Sequence, residues 1–67
     1  MNSKQLKFQL TNIKIESGIS MYDENNNRIT GEKRDAAKLF IIENGYAVES
    51  VKSGRLFLTD KGLGAIV

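Results

Sequence analysis

Gln5-Leu6-Lys7-Phe8-Gln9-Leu10-Thr11-Asn12-Ile13-Lys14-Ile15-Glu16 carries two incompatible periodicities, and the choice between them decides the fold. Leu6, Phe8 and Leu10 alternate with Lys7 and Gln9, the period-two pattern of a half-buried strand. The parity then shifts to Ile13 and Ile15, with Lys14 between them. A bulge or tight bend at Thr11-Asn12 returns both sets to one face. A helix aligns Leu6, Leu10 and Ile13 but points Phe8 and Ile15 the other way. The strand accommodates every apolar residue of the stretch, so a strand is expected here.

Downstream, Ser17-Gly18 punctuates the chain, and Ile19-Ser20-Met21-Tyr22 has the length of a second short strand. Asp23-Glu24-Asn25-Asn26-Asn27 is turn chemistry, because Asn tolerates positive φ and bonds its own backbone. Arg28-Ile29-Thr30 would return as a third strand. Asp23, Asn25 and Asn27 also share the alternate spacing of the first ligands of an EF-hand. Arg28 stands where that loop needs Gly, however, and Arg34 where it needs a bidentate Glu. A hairpin turn is therefore expected, with no metal site.

A helix is expected over residues 31–44. Thr30 supplies an N-cap hydroxyl, Glu32 suits the first turn of the dipole, and Gly45 is free to take the left-handed conformation past the end. At about 100° per residue, Ala36, Ala37, Phe40 and Ile41 form one stripe centred near Phe40. Arg34, Asp35 and Lys38 lie opposite, and Ile42 falls among those charges. The chain then reads as a hairpin. A three-residue loop, Lys52-Ser53-Gly54 with Gly54 left-handed, puts Tyr46, Val48, Leu56 and Leu58 on one face. Glu49, Val51, Arg55 and Phe57 take the other. Asp60-Lys61-Gly62 turns the chain again before a short apolar tail, Leu63 to Val67.

The expected fold is α+β: a small antiparallel sheet of about four or five short strands packed on one helix, in the order β-β-α-β-β. Leu6, Phe8, Leu10, Ile13, Ile15, Tyr46, Val48, Leu56 and Leu58 would form the sheet's buried face. Phe40 would be the helix's central contact, and truncating it to Ala would cost about 3–5 kcal/mol.

Sixty-seven residues make one small domain. It has neither Cys nor His, so it lacks disulfides, thiolate metal sites and the commonest transition-metal ligand. No nucleophile or base suited to neutral pH is present, and Ser3, Ser17, Ser20, Ser50 and Ser53 have no His to activate them. The carboxylates stand in turns or beside Lys and Arg, and Gly62 and Gly64 lack the frame of a phosphate loop. A non-enzymatic binding protein is expected, with no cofactor and no small-molecule substrate. The longest apolar run, Leu39 to Ile42, is far too short to span a membrane. With no long apolar segment near the N-terminus, a cytoplasmic location is expected.

Net charge is +2 and the pI about 9.1. Lys33, Arg34 and Lys38 on the helix, and Lys52 and Arg55 around the hairpin tip, are the candidate phosphate contacts. Lys4, Lys7 and Lys14 precede any acid in the chain. A protein partner or a homodimer is the other candidate, since Ile42, Val51 and Phe57 are apolar residues on outward faces.

Residues 36 to 63 resemble the second half of a winged-helix DNA-binding domain. The marks are the helix exit Glu43-Asn44-Gly45-Tyr46, the wing tip Lys52-Ser53-Gly54-Arg55, and Leu58-Thr59-Asp60-Lys61-Gly62. The resemblance implies a DNA-binding transcriptional regulator. Its helix before Gly45 would pack against or enter DNA, with Lys52 and Arg55 on the backbone. The family carries two helices before this one, where residues 1–30 are expected to be strands. In layout, a short sheet backed by one helix, the chain is also similar to the arm-binding domains of phage integrases. The protein-partner reading corresponds to an accessory or inhibitory protein of phage or mobile-element type.

Overall fold

The computed structural model describes all 67 residues. Three helices and one two-stranded antiparallel sheet follow in the order α1 (Ser3–Glu16), α2 (Gly31–Glu43), β1 (Ala47–Glu49), β2 (Leu56–Leu58) and α3 (Asp60–Ala65). The α+β class stands, but the β-β-α-β-β order does not.

The main correction falls on residues 3–16, which are helical. Asn2 caps them: its Oδ1 accepts from the Gln5 amide at 2.8 Å, while Gln5 Oε1 accepts from the Asn2 amide at 3.0 Å. This reciprocal box satisfies two amides that a helix start otherwise leaves orphaned. Ser17 ends the helix in the left-handed conformation, its amide donating to Ile13 O. Leu6, Gln9, Leu10 and Ile13 form the inward stripe. Phe8 is half-buried, and Ile15 stays 75% exposed. Exposing one or two apolar side chains is common and costs little. A capped helix with a continuous inner stripe therefore prevails over a strand that would need a bulge.

Residues 19–30 form no full strands. A single bridge, Tyr22 to Arg28, closes the Asp23–Asn27 turn, with Asn26 at φ 65°. The segment is tied to α1 by a buried glutamine: Gln9 Oε1 accepts from the Ser20 amide at 2.8 Å and its Nε2 donates to Tyr22 O at 3.4 Å. Asp23 accepts from the amides of Asn25 and Asn27. The Asn27 amide is the main reason its carboxyl lies below the ordinary carboxylate range. Because the folded value is depressed, the charged form stabilises the turn above the unfolded value of about 3.9. That contribution disappears as pH falls through the lower folded value. A carboxyl-carbon NMR titration should place the Asp23 midpoint below that of an unstructured Asp.

α2 begins and ends as its capping residues dictate. Thr30 Oγ1 accepts from the Lys33 amide at 3.1 Å. At the exit, Gly45 stands at φ 75°, its amide donating to Ile42 O while the Tyr46 amide donates to Ile41 O. This is the double bond pattern of a Schellman cap. The buried face is rotated from the expected one. Ala37 and Ile41 are buried, Phe40 and Ile42 are half-buried and both pack against the core, and Ala36 is exposed. The buried stripe thus runs through Ala37 and Ile41, with Phe40 at its edge and Ala36 outside it.

The hairpin register is one residue away from the expected one. Ala47 pairs with Leu58, Val48 with Phe57 and Glu49 with Leu56. The Ser50 amide donates to Arg55 O, leaving Val51 to Gly54 as a four-residue loop with Gly54 at φ 72°. A one-residue slip exchanges the faces of one strand against the other. Ala47 therefore enters the core with Leu56 in place of Val48, and Val48 joins Phe57 outside. The Leu56 amide also donates to Ser17 O at 2.8 Å, fastening the hairpin to the end of α1.

The expected tail is helical. Thr59 caps α3, and Ala65 and Ile66 pack on the core formed by Leu10, Ile13, Ile19, Ala37, Ile41, Ala47 and Leu56. No helix is long and apolar enough to cross a membrane.

Candidate nucleic-acid interface

The five basic residues singled out by sequence fall into three environments. Lys52 and Arg55 are exposed on the hairpin. The stretch from Ser50 to Thr59 contains no acid, so their charge is uncompensated within the loop. The tip is held by the Gly54 amide donating to Ser50 O at 2.8 Å and by the Arg55 amide donating to Ser53 Oγ at 3.3 Å. Both charges thus rise from an ordered turn.

Arg34 and Lys38 stand on the α2 face that meets the hairpin. With Asp35, Gly54 and Leu56 they line a cleft of about 180 Å³. Both are already engaged. Arg34 Nη2 donates to Ile19 O at 3.3 Å, while its Nε is shielded and has no partner. Lys38 forms an ion pair with Glu49 of β1. Half-exposed pairs of this kind are individually weak, so Lys38 can exchange its carboxylate for another anion at small cost. Lys33 sits elsewhere, in a groove of about 300 Å³ between α1 and α2 whose apolar walls are Met1, Phe8, Ile29, Ala36 and Phe40. Two residues expected in the core, Phe8 and Ala36, therefore line open space, and Phe40 borders it while packing against the core.

The apolar candidates divide as well. Ile42 is partly buried and packs against the core. It is not an outward residue. Val51 is fully exposed at the tip, and Phe57 is 50% exposed beside Val48 at 56%. Sequence reasoning missed Val48 because the register carried it to the wrong face. No three His, Cys, Asp or Glu side chains come together as a metal site would require.

Comparison with protein-family models, with curated proteins and with solved structures finds no match to this chain.

Proposed function

We propose that this chain is a small DNA-binding regulator of winged-helix type, gripping the duplex backbone with α2 and the hairpin that follows it. The observation that carries this reading is the shared cleft. The Arg34–Lys38 face of α2 and the Gly54 end of the hairpin border one another, with Lys52 and Arg55 free beside them. One phosphate run can then meet the helix face and the hairpin tip together. The helix at residues 3–16 supports the reading too, since a sheet in that place would have spoken against it. Only α1 precedes α2, where the family has two helices, and the turn at Asp23–Asn27 occupies the connection. Lys52 and Arg55 are the main phosphate contacts, Lys38 and Arg34 the secondary ones, and Lys33 lies off this surface.

A mobility-shift titration on a mixed-sequence duplex tests this. Binding should be visible at low salt and fall steeply as salt rises. K52A/R55A should reduce the slope of log affinity against log salt by roughly 2, at about 0.9 per lost phosphate contact. Thermal stability should be unchanged, since both side chains are exposed. No retardation by the wild type at about 50 µM in low salt would reject the reading, because even non-specific phosphate binding is stronger than that.

A second reading, docking on a protein partner or on a second copy, is favoured by the Val48–Phe57 pair. These two side chains are cross-strand neighbours on the solvent face of the hairpin. Sedimentation of the wild type against Phe57→Lys separates the cases. A dimer that becomes a folded monomer supports this second reading, and a wild type that is monomeric at about 100 µM rejects the homodimer form.

A further inference from the structure

We propose that the outer face of α1 is a docking surface for an acidic amphipathic helix of a protein partner. Because residues 3–16 are helical, Lys4, Lys7 and Lys14 fall at helical spacings on one stripe, with Phe8 and Ile15 on the stripe beside it. None of the three lysines is in an ion pair, since the one salt bridge of the chain joins Lys38 and Glu49. No acid precedes Glu16 in α1. Lys33 and Lys38 have Glu32 and Asp35 close by in sequence, whereas the acid of α1, Glu16, stands at its far end from Lys4 and Lys7.

The same face is concave. Lys4, Lys7, Phe8 and Ile15 border an open groove of about 430 Å³ whose far wall is Glu24. Phe8 and Glu24 also border the apolar groove between α1 and α2, so the two grooves join at these residues. From Lys4 to Ile15 the face runs roughly 16 Å at about 1.5 Å per residue, which matches three turns of a partner helix. Ile15 is 75% exposed and Phe8 half-buried, and both gain cover only from an apolar ligand. A phosphate backbone would pair with the lysines and leave them wet, whereas a helix with acids on one edge and Leu or Phe at i, i+3 and i+4 meets both. This surface involves none of the residues assigned to DNA above, so the two proposals stand or fall separately.

The test is an NMR titration of the ¹⁵N-labelled full chain with four probes. One is a 15-residue synthetic peptide with Leu and Phe at helical spacing and Glu along one edge, and the second is the same composition scrambled. A mixed-sequence DNA duplex and phosphatidylserine–phosphatidylcholine vesicles complete the set. The patterned peptide should bind with a Kd on the order of 10–100 µM, as small interfaces do. It should shift residues 4–15 and Glu24, and the scrambled peptide should bind at least about fivefold more weakly. K4E/K7E/K14E should weaken the patterned peptide by about tenfold or more, and Ile15→Ser by several-fold. All four substituted positions are exposed, so circular dichroism should remain that of the wild type. Equal binding of both peptides, or none, overturns the proposal. So does a triple variant that loses DNA or vesicle binding while the patterned peptide fails to bind, which would assign the face to phosphates or to lipid.

Discussion

Ile41→Ala is expected to remove about 2–5 kcal/mol of the protein's stability at 25 °C, whereas Phe40→Ala, one position away, is expected to remove less. Ile41 is fully buried and belongs to a core of only seven residues. Truncating such a side chain costs about 2–5 kcal/mol, for lost transfer energy and for the cavity left behind. A domain this size holds in total roughly 3–10 kcal/mol, and no disulfide supplements it. Phe40 packs against the core on one side only and borders the open groove between α1 and α2 on the other, so part of the space its removal leaves is already open to solvent. Its loss should cost about 1–2 kcal/mol, in proportion to the area it covers. Urea denaturation followed by circular dichroism gives both numbers. Equal losses would mean that α2 buries the face centred on Phe40, and the groove between α1 and α2 would then not exist as described.

The same pair marks how far the fold could be read from the chain. α2 was legible because its signals are local: Thr30 before it, Glu32 within its first turn, and Gly45 after it act on their own neighbours. Which side of α2 turns inward depends on where β1 and α1 lie, and nothing between residues 31 and 44 encodes that. In α1 the alternation of Phe8 and Ile15 with polar residues misleads, because neither is a core residue. The contrary signal is Asn2 followed three residues later by Gln5, a helix start in its own right. In the hairpin the left-handed glycine was correctly Gly54, but a loop longer by one residue moved Val48 out and Ala47 in. The candidate interface shows the same division. Lys52 and Arg55 could be picked out because a loop without acids leaves them free. That Arg34 is held by Ile19 O and Lys38 by Glu49 depends on partners about fifteen and eleven residues away, which no local pattern reports.

Gly62→Ala is expected to destabilise the protein, although alanine is the better helix former by about 1 kcal/mol, and Gly64→Ala, two residues on in the same helix, should be neutral or stabilising. Both glycines lie within α3, and neither needs a left-handed backbone. They differ in what faces them. A Cβ on Gly62 would fall well inside van der Waals contact of the Tyr46 carbonyl oxygen and 3.1 Å from Leu58 Cδ2, whereas nothing lies within 4 Å of one on Gly64. The Tyr46 carbonyl is not free to retreat, because it accepts the Thr59 amide at 3.0 Å. The Thr59 hydroxyl in turn donates to Gly45 O and accepts the Gly62 amide. Lys61 completes the clasp, its Nζ donating to Asn44 O at 2.6 Å and lying 4.6 Å from the centre of the Tyr46 ring. Leu58-Thr59-Asp60-Lys61-Gly62 is therefore the segment that locks the end of the hairpin onto the exit of α2. Any shift that admits a methyl group at Gly62 breaks several of these bonds at once. Overpacking of this kind costs about 1–3 kcal/mol, or on the order of 4–8 °C of Tm per kcal/mol in a domain this small. The opposed signs of the two substitutions, read by thermal melts, decide the point. If Gly62→Ala melts at or above the wild-type temperature, α3 does not dock against Tyr46, and the hairpin is not fastened to α2 through this segment.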